Sequence, residues 1–135
     1  CTRAGIDLSV GNYEVQVNEI SGCEPGIKVY DHYLEDQPLT GTQAYVFENR
    51  IRGNARAGVE VTDGAQVHLE RNTIVENKGS GVLAFDVPTR VTARGNNLAQ
   101  NSEGDYCAND GAVIKKIPRW VMGKDSRHFA AHRLS

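Results

Sequence analysis

Two stretches of the chain, FENRIRGNARAGVEV at 47–61 and ERNTIVENKGSGVLA at 70–84, carry Asn, then Ile, then a second Asn, then Gly-Val at the same offsets. Anchoring on Asn18, Asn49, Asn72 and Asn96 extends the match. Ile20, Ile51, Ile74 or Leu98 comes two residues after the anchor, and Val15, Val46, Leu69 or Ala93 stands three before it. Eight or nine residues after the anchor is Gly26, Gly58, Gly81 or Gly104, followed in the first three units by Ile27, Val59 and Val82. AGIDL at 4–8 is a partial earlier copy. The last two anchor intervals are 23 and 24 residues, enough for one complete turn of a solenoid and too long for a hairpin.

Within a unit the apolar residues alternate with polar ones: Val67 and Leu69, then Ile74, then Val82 and Ala84. Period two means strands, each with one buried face. Three short strands cannot bury such a face alone, but stacked coils about 4.8 Å apart align each apolar position above its counterpart and pair as parallel sheets. The Asn positions fit the same stacking. Asn tolerates the left-handed backbone of a tight turn, and its amide can bond to the Asn of the next coil in an asparagine ladder. Asn54, Asn77 and Asn101 form a second such series, shortened because Cys23 takes that place in the first full coil. The absence of an LxxLxLxxN series argues against a leucine-rich repeat.

The pattern N-x-I-x-x-N-x-x-x-G-V-x-V at 49–61, echoed at 72–84 and more loosely at 18–29 and 96–107, resembles the right-handed parallel β-helix repeat of the pectate-lyase-like superfamily. The resemblance covers roughly residues 4 to 108. It implies an all-β solenoid of about four coils, and the superfamily includes polysaccharide lyases, hydrolases and epimerases. The repeated residues are core and turn positions, so they specify the fold and say little about chemistry. Two departures stand out. No capping segment precedes AGIDL, so the N-terminal edge is expected to be open unless another chain, including a second copy, or a further part of this protein covers it. In the last unit Asp105 is expected where other units have Ile27, Val59 or Val82, so regularity is lost there.

Charge divides the chain. Residues 1–111 hold nine Lys/Arg against sixteen Asp/Glu, whereas 112–135 hold six against one. This places a repetitive body at 1–111 and a basic capping tail at 112–135. Val113, Ile114, Ile117, Trp120, Val121 and Met122 supply the lid's apolar side, and DSRHFAAHRL is expected to be a short helix capped by Asp125 or Ser126. With 39% hydrophobic and only 7% aromatic residues, the core must be built from small aliphatic side chains. No apolar run approaches the length of a membrane span, no basic-then-apolar leader opens the sequence, and the acidic body opposes nucleic-acid binding. Compartment stays open. Cys1, Cys23 and Cys107 are odd in number and lack metal-ligand spacing, so they read as ordinary thiols.

In the enzymes this chain resembles, substrate lies along the sheet built from the Gly-Val-x-Val strands. Its outward positions here are Asp7, Lys28, Glu60, Leu83 and Tyr106 in one column, and Ser9, Tyr30, Thr62 and Phe85 in the next. A base near a cation, as Glu60 beside Lys28, is what proton abstraction next to a uronate carboxylate requires. Alternating charges on adjacent strands also simply keep a sheet soluble and paired. The interval from Asn18 to Asn49 is 31 residues, and the excess falls in YDHYLEDQPLTG at 30–41, an insertion beside the expected groove. Loops on rigid scaffolds are where function collects. Tyr30 and Tyr33 can stack on sugar faces, His32 can exchange protons near neutral pH, and Asp31 can orient it or help hold Ca²⁺. Lys28, Asp31, His32 and Glu60 are therefore the catalytic candidates, and Asp7, Tyr30, Tyr33, Thr62 and Phe85 the substrate-binding ones, with no resident metal or other cofactor expected. His68 beside Glu70 reads as a surface histidine. His128 and His132 lack an acidic third ligand, and GSGV lacks the setting of a phosphate loop. Two readings stay open: a polysaccharide-directed module, as a lyase or epimerase on an acidic polymer, or a non-catalytic module that assembles through its open edge or basic tail.

Overall fold

A computed structural model describes residues 4–9, 11–30, 42–86 and 89–117. Among them are fourteen strands, numbered in chain order, arranged in three parallel sheets that the chain visits in rotation. Sheet A holds β1 (Ile6–Ser9), β4 (Ile27–Tyr30), β7 (Val59–Thr62), β10 (Val82–Phe85) and β13 (Tyr106–Asn109). Sheet B holds β2 (Asn12–Gln16), β5 (Gln43–Phe47), β8 (Gln66–Glu70), β11 (Arg90–Arg94) and β14 (Val113–Ile117). Sheet C holds β3 (Glu19–Ser21), β6 (Arg50–Arg52), β9 (Thr73–Val75) and β12 (Asn97–Ala99). Every strand pairs with its equivalent one coil away, as the repeat requires. The path is a parallel solenoid of about four turns, and β14 carries it beyond Ala112 by pairing with β11. No helix occurs among the described residues. The expected tail helix lies outside them.

Inward residues stack in unbroken columns. Ile20, Ile51, Ile74 and Leu98 line sheet C. Val15, Val46, Leu69 and Ala93 run down sheet B. Val29, Val61 and Ala84 face them from sheet A. Ile51, Leu69, Ile74 and the valines of the middle coils are fully buried, each contributing on the order of 1.5–3 kcal/mol relative to exposure. The sheet B column ends at Lys116, in register with Ala93, and the Lys116 Nζ lies 5.4 Å from the centroid of Tyr106. An aromatic ring and a long aliphatic stem thus follow the last small residues of the core.

Both asparagine ladders are present. The Asn72 Nδ2 donates to Asn96 Oδ1 at 2.9 Å and to the Val46 carbonyl at 2.8 Å, while Asn72 Oδ1 accepts from the backbone N and the Nδ2 of Asn49, each at 3.0 Å. In the second ladder Asn54 Nδ2 donates to Asn77 Oδ1 and Asn77 Nδ2 to Asn101 Oδ1, both at 2.8 Å, and Cys23 joins through its backbone N–H to Asn54 Oδ1 at 2.9 Å. The backbone reason given for Asn needs correction. The left-handed residue is the one before each anchor, Val17, Glu48, Arg71 and Gly95, with φ from 55° to 67°. Asn is selected for its amide, which fills a buried slot with both donor and acceptor capacity used.

The Gly before each sheet A strand has a different reason: close approach. A Cβ on Gly58 would lie 2.7 Å from Ile74 Cγ2, 2.8 Å from the Gly81 carbonyl and 2.9 Å from Asn77 Nδ2, and Gly26 and Gly81 are equally confined. The register of the last unit differs from the sequence expectation. Asp105, not Gly104, occupies the place above Gly81, and Tyr106 pairs with Val82. Asp105 is tolerated there because β13 is the terminal strand of sheet A among the described residues, so no further coil crowds its Cβ. Cys23 also departs from expectation: it is disulfide-bonded, whereas Cys107 is a free thiol.

Candidate functional site

The outer face of sheet A arises from strand alternation: with Ile27, Val29, Val59 and Val61 turned inward, the residues between them must face out. Register places Asp7, Lys28, Glu60 and Leu83 in one row, and the next member is Cys107, not Tyr106. Tyr106 turns toward the core, and burial pushes its hydroxyl pKa up, with Asp105 adding to the shift and a hydrogen bond with Asn96 opposing it. The second row brings Tyr30 and Thr62 together, with Ser9 in backbone register with Tyr30 and Phe85 two residues after Leu83 on β10.

Within these rows the candidates are not equivalent. Lys28 Nζ sits 5.3 Å from the Tyr30 ring centroid, a cation–π contact that holds both on the outer face. Among the described residues no ion pair within 4.0 Å joins Lys28 to Asp7 or Glu60. Glu60 is only 8% exposed and lines a cleft of about 300 Å³ with Arg56, Leu83, Glu103, Cys107 and Asn109. The Thr62 hydroxyl donates to Asp86 Oδ2 at 3.0 Å and is therefore already engaged. Asp31, His32 and Tyr33 lie outside the described residues. Among the described residues no group of three or more His, Cys, Asp or Glu side chains is placed to hold a metal ion.

A second concentration of polar side chains stands on the outer face of sheet B. Its rows are Asn12, Gln43, Gln66, Arg90 and Val113; Glu14, Tyr45, His68, Thr92 and Lys115; and Gln16, Phe47, Glu70, Arg94 and Ile117. Glu70 is buried at its rim: Arg94 Nη2 reaches Glu70 Oε1 at 2.8 Å, His68 Nε2 lies 3.4 Å from the same oxygen, and Arg71 Nη2 is 3.6 Å from Oε2. Burial pushes the Glu70 carboxyl upward, but the His68 hydrogen bond and the charges of Arg94, His68 and Arg71 outweigh it and hold the pKa below its ordinary value. An ionised Glu70 can only accept, so it orients His68 with the proton on Nε2. Sequence reasoning placed His68 beside Glu70 correctly but missed Tyr45, Thr92, Arg94 and Lys115. Extending the period-two register across the repeats would have aligned them.

A family model described as the right-handed β-helix region matches residues 1–116. The chain belongs to the right-handed β-helix family. Its three parallel sheets, ladders and stacked aliphatic columns are that family's architecture in this sequence, and the pectate-lyase-like resemblance is compatible with it. No curated protein and no solved structure gives a significant match to the chain.

Proposed function

We propose that this β-helix protein is a polysaccharide-directed module whose recognition surface is the outer face of sheet A. The observation that carries this reading is the adjacency of an aromatic row and a charged row: Tyr30, Thr62 and Phe85 run beside Asp7, Lys28 and Glu60. Aromatic faces stack on the apolar faces of sugars, while carboxylates and a lysine exchange hydrogen bonds with hydroxyls or meet a uronate carboxylate. Successive strands advance about 4.8 Å, so the rows offer a linear track suited to an extended polymer. The insertion at 30–41 follows directly on β4 in the sequence, so Asp31, His32 and Tyr33 are proposed as further members of this surface. The disulfide at Cys23 suits an oxidising compartment.

The sharper form of the reading is elimination or epimerisation at a uronate, with Glu60 or His32 as base and Lys28 beside the substrate carboxylate. Lys28 rests on Tyr30 rather than on Glu60, which favours recognition over reaction. The test is a screen of the full chain against acidic and neutral polysaccharides, with and without Ca²⁺, recording binding and the ultraviolet absorbance of an unsaturated product. Binding that weakens in Lys28→Ala/Tyr30→Ala and in Asp31→Ala/His32→Ala supports the site. Absorbance would add the reaction, and binding that survives both double substitutions would remove the site.

The rival reading, assembly through the first coil, is favoured by one observation: β1, β2 and β3 are edge strands of their sheets among the described residues. A molar mass by light scattering that stays monomeric at every concentration removes it.

A further inference from the structure

The outer face of sheet B carries a cleft of about 410 Å³, within the range of small-ligand sites. Arg90, His68 and Lys115 line it together with the hydrogen-bonding side chains of Gln66 and Thr92 and the ring of Tyr45. No carboxylate is among its described lining residues, although the chain as a whole is net acidic. Glu70, which contacts the lining His68, is held by Arg94 at 2.8 Å and by Arg71 at 3.6 Å, so its charge is met by neighbouring guanidinium groups; exposed Glu14, in register with Tyr45, is not among the lining residues. Cation, amide, hydroxyl and aromatic groups therefore converge on one concavity.

The rotation of the fold produces this convergence. Tyr45, His68, Thr92 and Lys115 occupy the same position in four successive coils, following Glu14 of the coil before them, and Gln43, Gln66 and Arg90 occupy the position two residues earlier. Side chains rooted in a rigid parallel sheet hold their spacing without help from a loop, which lowers the ordering cost of binding. The rings of Tyr45 and His68, with centroids 6.0 Å apart and a tilt of 58°, make an angled platform on which a flat apolar face can rest. Arg90 and Lys115 are exposed, and their charged ends can meet an anionic group of that ligand.

We infer that this cleft is a second binding site, for an anionic saccharide unit bearing a carboxylate or a sulfate, in which Arg90 and Lys115 take the anion and Tyr45 with His68 takes the sugar face. It lies on a different sheet from the track proposed above and does not depend on that reading.

The test is calorimetric titration of the full chain with three probes: a uronate disaccharide, a sulfated disaccharide and inorganic sulfate. Arg90→Gln/Lys115→Gln is the test variant, and its thermal melt is recorded as a check on folding. The expected result is saturable binding of at least one disaccharide, weakened about tenfold or more in the variant, with the melt unchanged. Preference for the uronate or for the sulfated disaccharide identifies the anion. Inorganic sulfate competing as well as either disaccharide would overturn the saccharide assignment. Failure of both disaccharides to bind, or affinity indifferent to the double substitution, would overturn the site. Tyr45→Ala serves as a second variant should the first unfold. Loss of affinity in Lys28→Ala/Tyr30→Ala but in neither sheet B variant would leave the sheet A proposal standing and remove this one.

Discussion

Substituting Asn72 by Asp keeps the side chain's size and exchanges a single donor nitrogen for an acceptor oxygen at an interior rung of the first ladder. Asn72 is 1% exposed, and its Nδ2 donates to the Val46 carbonyl at 2.8 Å and to Asn96 Oδ1 at 2.9 Å. An aspartate there still accepts from Asn49, and Asn96 Oδ1 keeps the Asn72 backbone N–H at 2.9 Å, but the buried Val46 carbonyl loses this donor and both oxygens face an oxygen instead. At about 1–3 kcal/mol for the buried carbonyl, with a further cost for the facing oxygens and the buried charge, the variant should lose about 4 kcal/mol near neutral pH. A chain of this length has on the order of 7–20 kcal/mol in total, so the fold survives measurably weakened. Facing acceptors and burial raise the folded-state pKa of the introduced carboxyl above its unfolded value. Its penalty is therefore smallest below the unfolded pKa and grows as pH rises through the folded one. Asn72→Ala removes the same donors with no titrating group, so its cost should not depend on pH. The assay is urea unfolding followed by circular dichroism near pH 7 and about pH 4, with the unsubstituted chain measured at each pH. The gap for Asn72→Asp should narrow by about 1 kcal/mol or more on acidification while that for Asn72→Ala stays fixed. Equal gaps at both pH values would refute the argument that Nδ2 donates to the Val46 and Asn96 oxygens.

Three further outcomes are expected. Gly58→Ala should cost about 2–3 kcal/mol because the new methyl meets a carbonyl, a ladder amide and Ile74 within 3 Å, whereas Gly53→Ala, with φ of 64° and open space, should cost about 1 kcal/mol; denaturant midpoints compare them. Glu70→Gln should lose about 2 kcal/mol at neutral pH by removing the negative charge that the buried Arg94 guanidinium meets. Because the Glu70 pKa is depressed in the folded state, its contribution is present above the unfolded value and disappears as pH falls through the folded one, so the two unfolding curves should converge in acid. Val17→Gly should stabilise the chain by up to about 1 kcal/mol, since a β-branched residue at φ 55° and 70% exposure gives up strain and almost no burial, which a rise in melting temperature would register.

The residues that made the fold legible are those whose environment recurs every coil. Ile51 and Ile74 share one column, and Asn49 and Asn72 one slot, so each copy independently reports the same packing constraint. Where a coil has no neighbour beyond it, that constraint lapses, and reading by analogy slips. Gly58 and Gly81 are forced by the coil above them; Asp105, at the same nine-residue spacing from its anchor, is not, so that place no longer needs Gly, and counting from Gly104 put Tyr106 on the wrong face. The same logic separates the two candidate surfaces. Outward residues are free of the packing constraint and vary from coil to coil, so no repeat signal marks Lys28 on sheet A or Arg90 and Lys115 on sheet B. Their meaning comes from register alone, which aligns Tyr45, His68, Thr92 and Lys115 although 23 or 24 residues separate each from the next. Chemistry on a solenoid is thus written across coils, at right angles to the direction in which the chain is read.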